Sequence, residues 1–456
     1  MSPNEGEQHR LGPWSRAREA ARATPEGRNR YVDFLRAVSI VVVVIGHWIM
    51  AAPTVESGVA FTLSDLLHEA PWTQWLTWIF QVMPIFFVVG GYANAVSWEA
   101  ARARREGYDA WVSRRLQRLV LPVVPFLLVW CVLGFIARWI GLGQRVVESG
   151  SQAAFVSTWF LAVYVLVVLT APTMHWFWRA FGMTSFWGLV VGAALVEVVA
   201  RFPGFAGVIW ANYVFVWLAI HQLGYAWRDG HFSSPVRALS FALGGGAALV
   251  VLRGLANYPT SMVTVPGDAT ANSNPPNLAL LALGVTHTGL LLAIEGAARR
   301  FLQGALVWSA TVFLNGVVMT IYLWHATAMV LLVGLLEWPG GVGLRLVPNT
   351  AIWWATRVPW ILVLVAVLAL FLALFGRFEA LRNRERSPGP TWRNLVGAVS
   401  VCLGLVSLAN GGIGASNALG IQVAPVLLTL IGAALVARLR VRIARRPPAA
   451  AGGGRE

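Results

Sequence analysis

The chain has no lysine, only two cysteines, and a charged fraction of 12% over 456 residues. Each scarcity excludes something. With so little charge, 57% hydrophobic residues and a mean hydropathy of +0.64, a soluble domain could not cover its core with polar surface, so the sequence belongs to the multi-span membrane class. Cys131 and Cys402 both fall inside apolar runs, which leaves no disulfide framework and no thiolate metal site. The absence of lysine makes arginine the whole basic complement, 35 residues giving a net charge of +15. These arginines sit in the links between apolar segments and at the two ends, where they report topology, and no nucleic-acid partner is expected. No P-loop, dinucleotide fingerprint, HExxH, paired CxxC or serine nucleophile elbow occurs, and no metal is expected. Residues 1–30 are polar and Arg-rich with no short apolar region and cleavage site after them, so the first apolar segment is expected to serve as the anchor.

What is present is a series of apolar segments that predicts an all-α polytopic transmembrane helix bundle of about twelve spans. They run near 31–51, 75–97, 119–140, 158–174, 186–202, 207–227, 236–253, 278–298, 305–335, 351–375, 394–410 and 420–437. Alternate links collect the arginines: the N-terminal tail, residues 102–118, Arg299 and Arg300, the 377–393 link and the C-terminal tail. The opposite side keeps Arg138, Arg145, Arg201, Arg253, Arg345 and Arg357. By the positive-inside rule, both termini are cytoplasmic and the protein is a multi-pass protein of the cell membrane. The expected organisation is a cytoplasmic Arg-rich tail (1–30), a membrane domain (31–378), a cytoplasmic linker (379–393), two additional transmembrane helices (394–437) and a second Arg-rich tail (438–456). The links at 52–74 and 254–277 are long, and the second, rich in Pro, Asn and Thr, is strongly loop-like.

The first span, YVDFLRAVSIVVVVIGHWIM, carries Asp33, Arg36 and His47 within a sector of roughly 60° at ~100° per residue. Arg36 and His47 are about three turns apart, so they look the same way from depths differing by roughly 16 Å. Ionisable groups within a span face a bundle interior or a wet cavity and mark function by default. Asp33 and Arg36 also suit simple pairing near a helix start. His47 has no carboxylate nearby in sequence, and its imidazole can take a proton from a hydroxyl near neutral pH.

Other membrane polar groups have structural readings. Glu197 with Arg201 and Glu295 with Arg299 stand four apart and are expected to neutralise each other. In the ninth span Thr311, Asn315, Tyr322 and His325 fall within roughly 80° of circumference, a pattern suited to interhelical hydrogen bonds. His221, Gln222 and Tyr225 are expected to pack or anchor the sixth span at the interface. The basic cluster RRLQRLVLP, Arg114 to Pro122, offers guanidinium forks for phosphate.

Five stretches together carry a family resemblance. DFLRAVSIVVVVIGHW (33–48) resembles the first-helix motif of the integral-membrane acyltransferase-3 family, with ten residues between the arginine and the histidine. MPIFFVVGGYANA (83–95) resembles its Phe-Phe-x-x-Ser-Gly segment, with Gly90 in place of serine. RRLQRLVLP resembles its Arg-x-x-Arg segment before a proline, and TWFLAVY (158–164) and IYLWHATAM (321–329) follow in order. The resemblance covers roughly residues 28–378. It implies transfer of an acyl group, acetyl among others, from acyl-CoA as donor substrate to a hydroxylated acceptor, a sugar, lipid or metabolite. Carried over by position, His47 is the catalytic histidine, Arg36 its motif partner, and Arg115 and Arg118 the donor-side pair. Whether His47 acts as general base or is itself acylated stays open at this stage. The competing reading is a transporter or flippase for an envelope precursor, for which a polar stripe would form a substrate path.

Overall fold

A computed structural model describes residues 12–54, 62–337, 341, 343–380 and 389–437. The protein is an all-α multi-pass membrane protein. Nine helices among the described residues are long and apolar enough to span a bilayer, and a bent pair makes a tenth candidate. Met183–Val199, Ala305–Gly316 and Val423–Ala437 are shorter apolar helices.

The chain enters through α1 (Pro13–Arg22) and α2 (Arg30–Met50), then a short antiparallel hairpin of β1 (Ala51–Thr54) and β2 (Thr62–Asp65). After short helical turns at Leu66–Glu69, Pro71–Leu76 and Thr77–Phe80 come α3 (Met83–Ala103), α4 (Tyr108–Val120), α5 (Val123–Trp139) and α6 (Gln144–Phe155). They are followed by α7 (Thr158–Phe181), α8 (Met183–Val199), α9 (Asn212–Arg228), α10 (Pro235–Leu255) and α11 (Leu278–Ala293). The chain ends with α12 (Ala305–Gly316), α13 (Val318–Glu337), α14 (Ala351–Ala380), α15 (Thr391–Gly411) and α16 (Val423–Ala437). Outward faces are bare apolar rows, such as Leu128, Val132 and Phe135 on α5 and Leu362 and Val365 on α14, as lipid contact requires.

Two apolar clusters form the interior, and α2 belongs to both. Its first half, with Tyr31, Val32 and Leu35, packs with Phe87, Trp217 and Tyr225. Its second half, with Ile40, Val44 and Trp48, packs with Trp111, Phe126 and Trp324. The hydrogen-bonding side chains described below lie along the seam that α2 bridges.

Several segments differ from the sequence expectation. The ninth span is not one helix: it breaks at Val317 into α12 and α13. The buried carboxylate of Glu379 on α14 accepts from Met319 N (3.3 Å), Thr320 N (3.1 Å) and Thr320 Oγ1 (2.9 Å), satisfying the free N–H groups of a new helix start. The eighth span bends by 57° between Leu278–Ala293 and Glu295–Phe301. Arg299 pairs with Glu295 at 2.7 Å as expected. The Glu197 carboxylate accepts from Leu278 N (2.7 Å) and the Tyr258 hydroxyl, because the α11 start offers it unsatisfied N–H donors, and no close ion pair with Arg201 forms among the described residues. The expected Arg-rich tail contains α1, which docks on α12 through Trp308 Nε1, 3.2 Å from Ala21 O and 2.9 Å from Thr24 Oγ1. Helices α15 and α16 are woven into the bundle. Asn394 Nδ2 donates to Ser113 Oγ (2.8 Å), Gln117 Nε2 to Val436 O (3.1 Å), and Ser151 Oγ accepts from Ile413 N (2.8 Å). The 438–456 tail and most of the linker lie outside the described residues.

Candidate active site

The centre of the site is fixed by the last turn of α2. Trp48 is buried, and its Nε1 donates to His325 O at 2.9 Å, locking α2 to α13 one residue from His47. Tyr322 anchors α13 from its other side by donating to Ser157 O at the start of α7. Held this way, Nδ1 of His47 lies 2.9 Å from Nε2 of His325, with ring centroids 5.1 Å apart and planes 20° from parallel.

The hydrogen bonds assign the tautomers. Nδ1 of His325 is 2.7 Å from the Tyr322 carbonyl oxygen, which can only accept, so that nitrogen carries the proton. Its Nε2 then holds a lone pair and accepts from Nδ1–H of His47. The lone pair of His47 is left on Nε2. His325 is fully buried, whereas His47 keeps accessible surface. The arrangement is a part-exposed imidazole backed by a buried acceptor, which can hold the ring in one orientation and stabilise an imidazolium formed on proton uptake.

Arg36 lies about three turns from this pair along α2. Its Nη1 is 3.4 Å from Asp33 Oδ1 and 3.5 Å from Asn315 Oδ1, and Asp33 also takes Arg28 at 2.6 Å. The Asn315 amide reaches back to Asp33 O at 2.8 Å, clamping the first turn of α2 to α12. Arg115 on α4 turns inward: it donates to Ala93 O (3.0 Å) and to Ser97 Oγ, rests over Trp111 and lies within electrostatic range of Arg36 and Tyr164. Arg118, one turn on, is on the exposed face of α4. The fold thus brings Arg36 and Arg115 towards one another, leaves Arg118 at the surface and keeps His47 further along α2.

Two close helix crossings position the surroundings. A Cβ at Gly91 would stand 1.9 Å from His221 O, and one at Gly224 2.1 Å from Val88 O, so α3 and α9 touch backbone to backbone. That contact delivers Asn94 Nδ2 to 3.1 Å from the fully buried His221 Nε2. His221 is therefore a core group rather than an interface anchor. Gly90 likewise makes room for Tyr164, whose ring would lie 2.9 Å from an added Cβ.

Asn315, Tyr322 and His325 make the interhelical hydrogen bonds their shared stripe suggested, but the sequence did not name His47 as the partner of His325, nor single out Asn94. His325 stood in the quoted motif IYLWHATAM, and the break at Val317 turns it to His47 while Asn315 faces Arg36.

The sequence matches the family model of the acyltransferase-3 acyltransferase domain over residues 29–376. The chain belongs to this family and is an acyltransferase. No curated protein and no solved structure gives a significant match.

Proposed function

We propose that the protein moves an acyl group from cytoplasmic acyl-CoA to a hydroxyl of a glycan, lipid or secondary metabolite at the cell membrane. The observation that carries this reading is the His47–His325 pair, whose hydrogen bonds leave the lone pair of the part-exposed His47 on Nε2. In this reading, His47 Nε2 removes the acceptor proton as the hydroxyl oxygen attacks the thioester carbonyl. His325 Nε2 holds the His47 Nδ1–H throughout, and the thiolate of coenzyme A is the leaving group. Proton transfer alone suffices, so an acyl-histidine is not required by the geometry.

Arg115 and Arg118, with Arg36 inside them, supply the cationic end for the donor's phosphates, and guanidinium forks match phosphate oxygens. In this reading that end and both termini are cytoplasmic, which the arginine-rich links support through the positive-inside rule. Reporter fusions test the orientation: those after residues 110 and 384 should report cytoplasm and one at 268 the opposite side. A non-cytoplasmic report at 110 overturns it.

The deciding experiment incubates purified protein with radiolabelled acetyl-CoA and follows coenzyme A release and label transfer to envelope extracts. Release that depends on His47 supports the reading. Absence of both release and transfer, with acetyl-CoA and longer acyl-CoAs, removes it.

A further inference from the structure

Arg357 on α14 is only 7% exposed, and its Nε and Nη1 have no hydrogen-bond partner among the described residues. Its guanidinium carbon sits 4.2 Å from the Trp353 ring centroid and 5.2 Å from that of Trp360. Among the described residues it forms no ion pair. A desolvated, unpaired cation is costly, and stacking on indoles offsets only part of that. Two nitrogens held in place with protons to give, between two rigid aromatic faces, form half of an oxyanion site.

Its position ties it to the acyltransfer centre. Trp360 Nε1 donates to Trp48 O at 3.1 Å, and Trp48 Nε1 donates to His325 O at 2.9 Å. Arg357 is three residues before Trp360, roughly 4.5 Å along the helix towards the β1–β2 hairpin. Trp353 continues in that direction and packs on Ala52, Leu66 and Ala70 beneath the hairpin. The cation therefore lies just beyond His47 on the hairpin side, at the far end of α2 from Arg36 and Arg115.

We propose that Arg357, clamped by Trp353 and Trp360, is an acceptor subsite that binds a carboxylate or phosphate group of the acceptor molecule and so presents a neighbouring hydroxyl to His47. The acceptor is accordingly an anionic one, a uronic acid, acidic glycan or phosphorylated sugar or lipid intermediate. The role rests on the acyltransfer reading, but the binding does not. A bulk anionic lipid headgroup would bring the same chemistry from a different source.

The test uses the purified full chain in neutral detergent without acyl-CoA. Thermal unfolding is followed by tryptophan fluorescence at constant ionic strength against sodium phosphate, methyl glucuronide and phosphatidylglycerol. Methyl glucoside and phosphatidylcholine serve as neutral counterparts. The expected result is saturable stabilisation by phosphate or methyl glucuronide and none by the neutral compounds. The half-saturating concentration should rise at least about tenfold in Arg357→Gln, the loss of one charged hydrogen bond. Arg357→Lys keeps the charge, and with it the fold, but loses the planar clamp, and should bind more weakly than the native chain. Stabilisation by phosphatidylglycerol alone overturns the acceptor assignment. No saturable effect of any anion on the native chain, or an effect unchanged in both variants, overturns the site. Because the measurement needs no turnover, its failure is separate from failure of the acyl-CoA assay.

Discussion

Nδ1 of His47 and Nε2 of His325 lie 2.9 Å apart across the α2–α13 contact, and the carbonyl of Tyr322 decides which of them carries the proton. That single hydrogen bond orients the part-exposed His47 imidazole against the buried one of His325. Replacing His47 by Ala should lower acyl transfer by about 10² to 10⁴, the range of general acid–base catalysis. The size-exclusion profile should not change, because insertion depends on apolar length and flanking arginines. Near-native turnover in well-folded His47→Ala would make this histidine structural.

His325→Ala should act through His47. Loss of the buried acceptor removes a hydrogen bond of about 1–3 kcal/mol from the imidazolium, so kcat should fall by roughly 5- to 150-fold with little change in KM for acyl-CoA. The double variant should be scarcely slower than His47→Ala alone, since both act on one proton transfer. Strictly multiplicative losses would separate the two residues.

The donor-side arginines should differ from each other. Arg118→Ala, on an exposed face, should weaken acyl-CoA binding by about 1–3 kcal/mol, with a smaller effect on the melting temperature than Arg115→Ala. Arg115→Ala should lower both, because Arg115 also fastens α4 to Ala93 O and Ser97 Oγ of α3. Isothermal titration with acetyl-CoA and thermal melts distinguish them, and unaltered donor binding in both variants would leave these residues as topology signals only.

Gly91→Ala should cost about 3 kcal/mol, since a methyl 1.9 Å from a carbonyl oxygen forces α3 off α9 and Asn94 off His221. Gly244→Ala is the matched control. Nothing lies within 4 Å of a Cβ there, and Gly to Ala in a helix interior gains roughly 0.5–1 kcal/mol. Equal melting temperatures for the two variants would contradict the crossing.

Asp65 provides a pH signature in the loop after α2. Burial raises its carboxyl from 3.8 to about 6, against the opposing hydrogen bond from Leu67 N and the charge of His68. A raised folded-state value means the folded protein holds the proton more tightly than the unfolded chain. This contribution is therefore complete below about 4 and is lost as pH rises through about 6. Half-buried as it is, Asp65 should contribute on the order of 1 kcal/mol. The native chain should lose more melting temperature than Asp65→Asn between pH 4 and 6.5, and parallel curves would refute the assignment.

The sequence by itself determined the class of fold and the first half of the site. Apolar length sets spans one at a time, through local transfer free energy, so most spans could be placed from composition, whereas α1 and α6 and the break at Val317 could not. Five motifs in order gave the family, and residue spacing put Arg36 and His47 on one face of one helix. Contacts between segments far apart in the chain were another matter. The polar stripe of 305–335 does make interhelical hydrogen bonds, but the break at Val317 was not legible, because the carboxylate that caps the new helix start, Glu379, lies more than 50 residues away. His325 therefore became a partner of His47, 278 residues distant, only once α13 had its own start and axis. Arg357 read as one more arginine of the sparse side, because a local pattern carries charge but not the two tryptophans that hold it or the missing counterion. Which buried polar groups meet is set by helix packing, and that packing is decided by non-local steric fit such as the Gly91–Gly224 crossing.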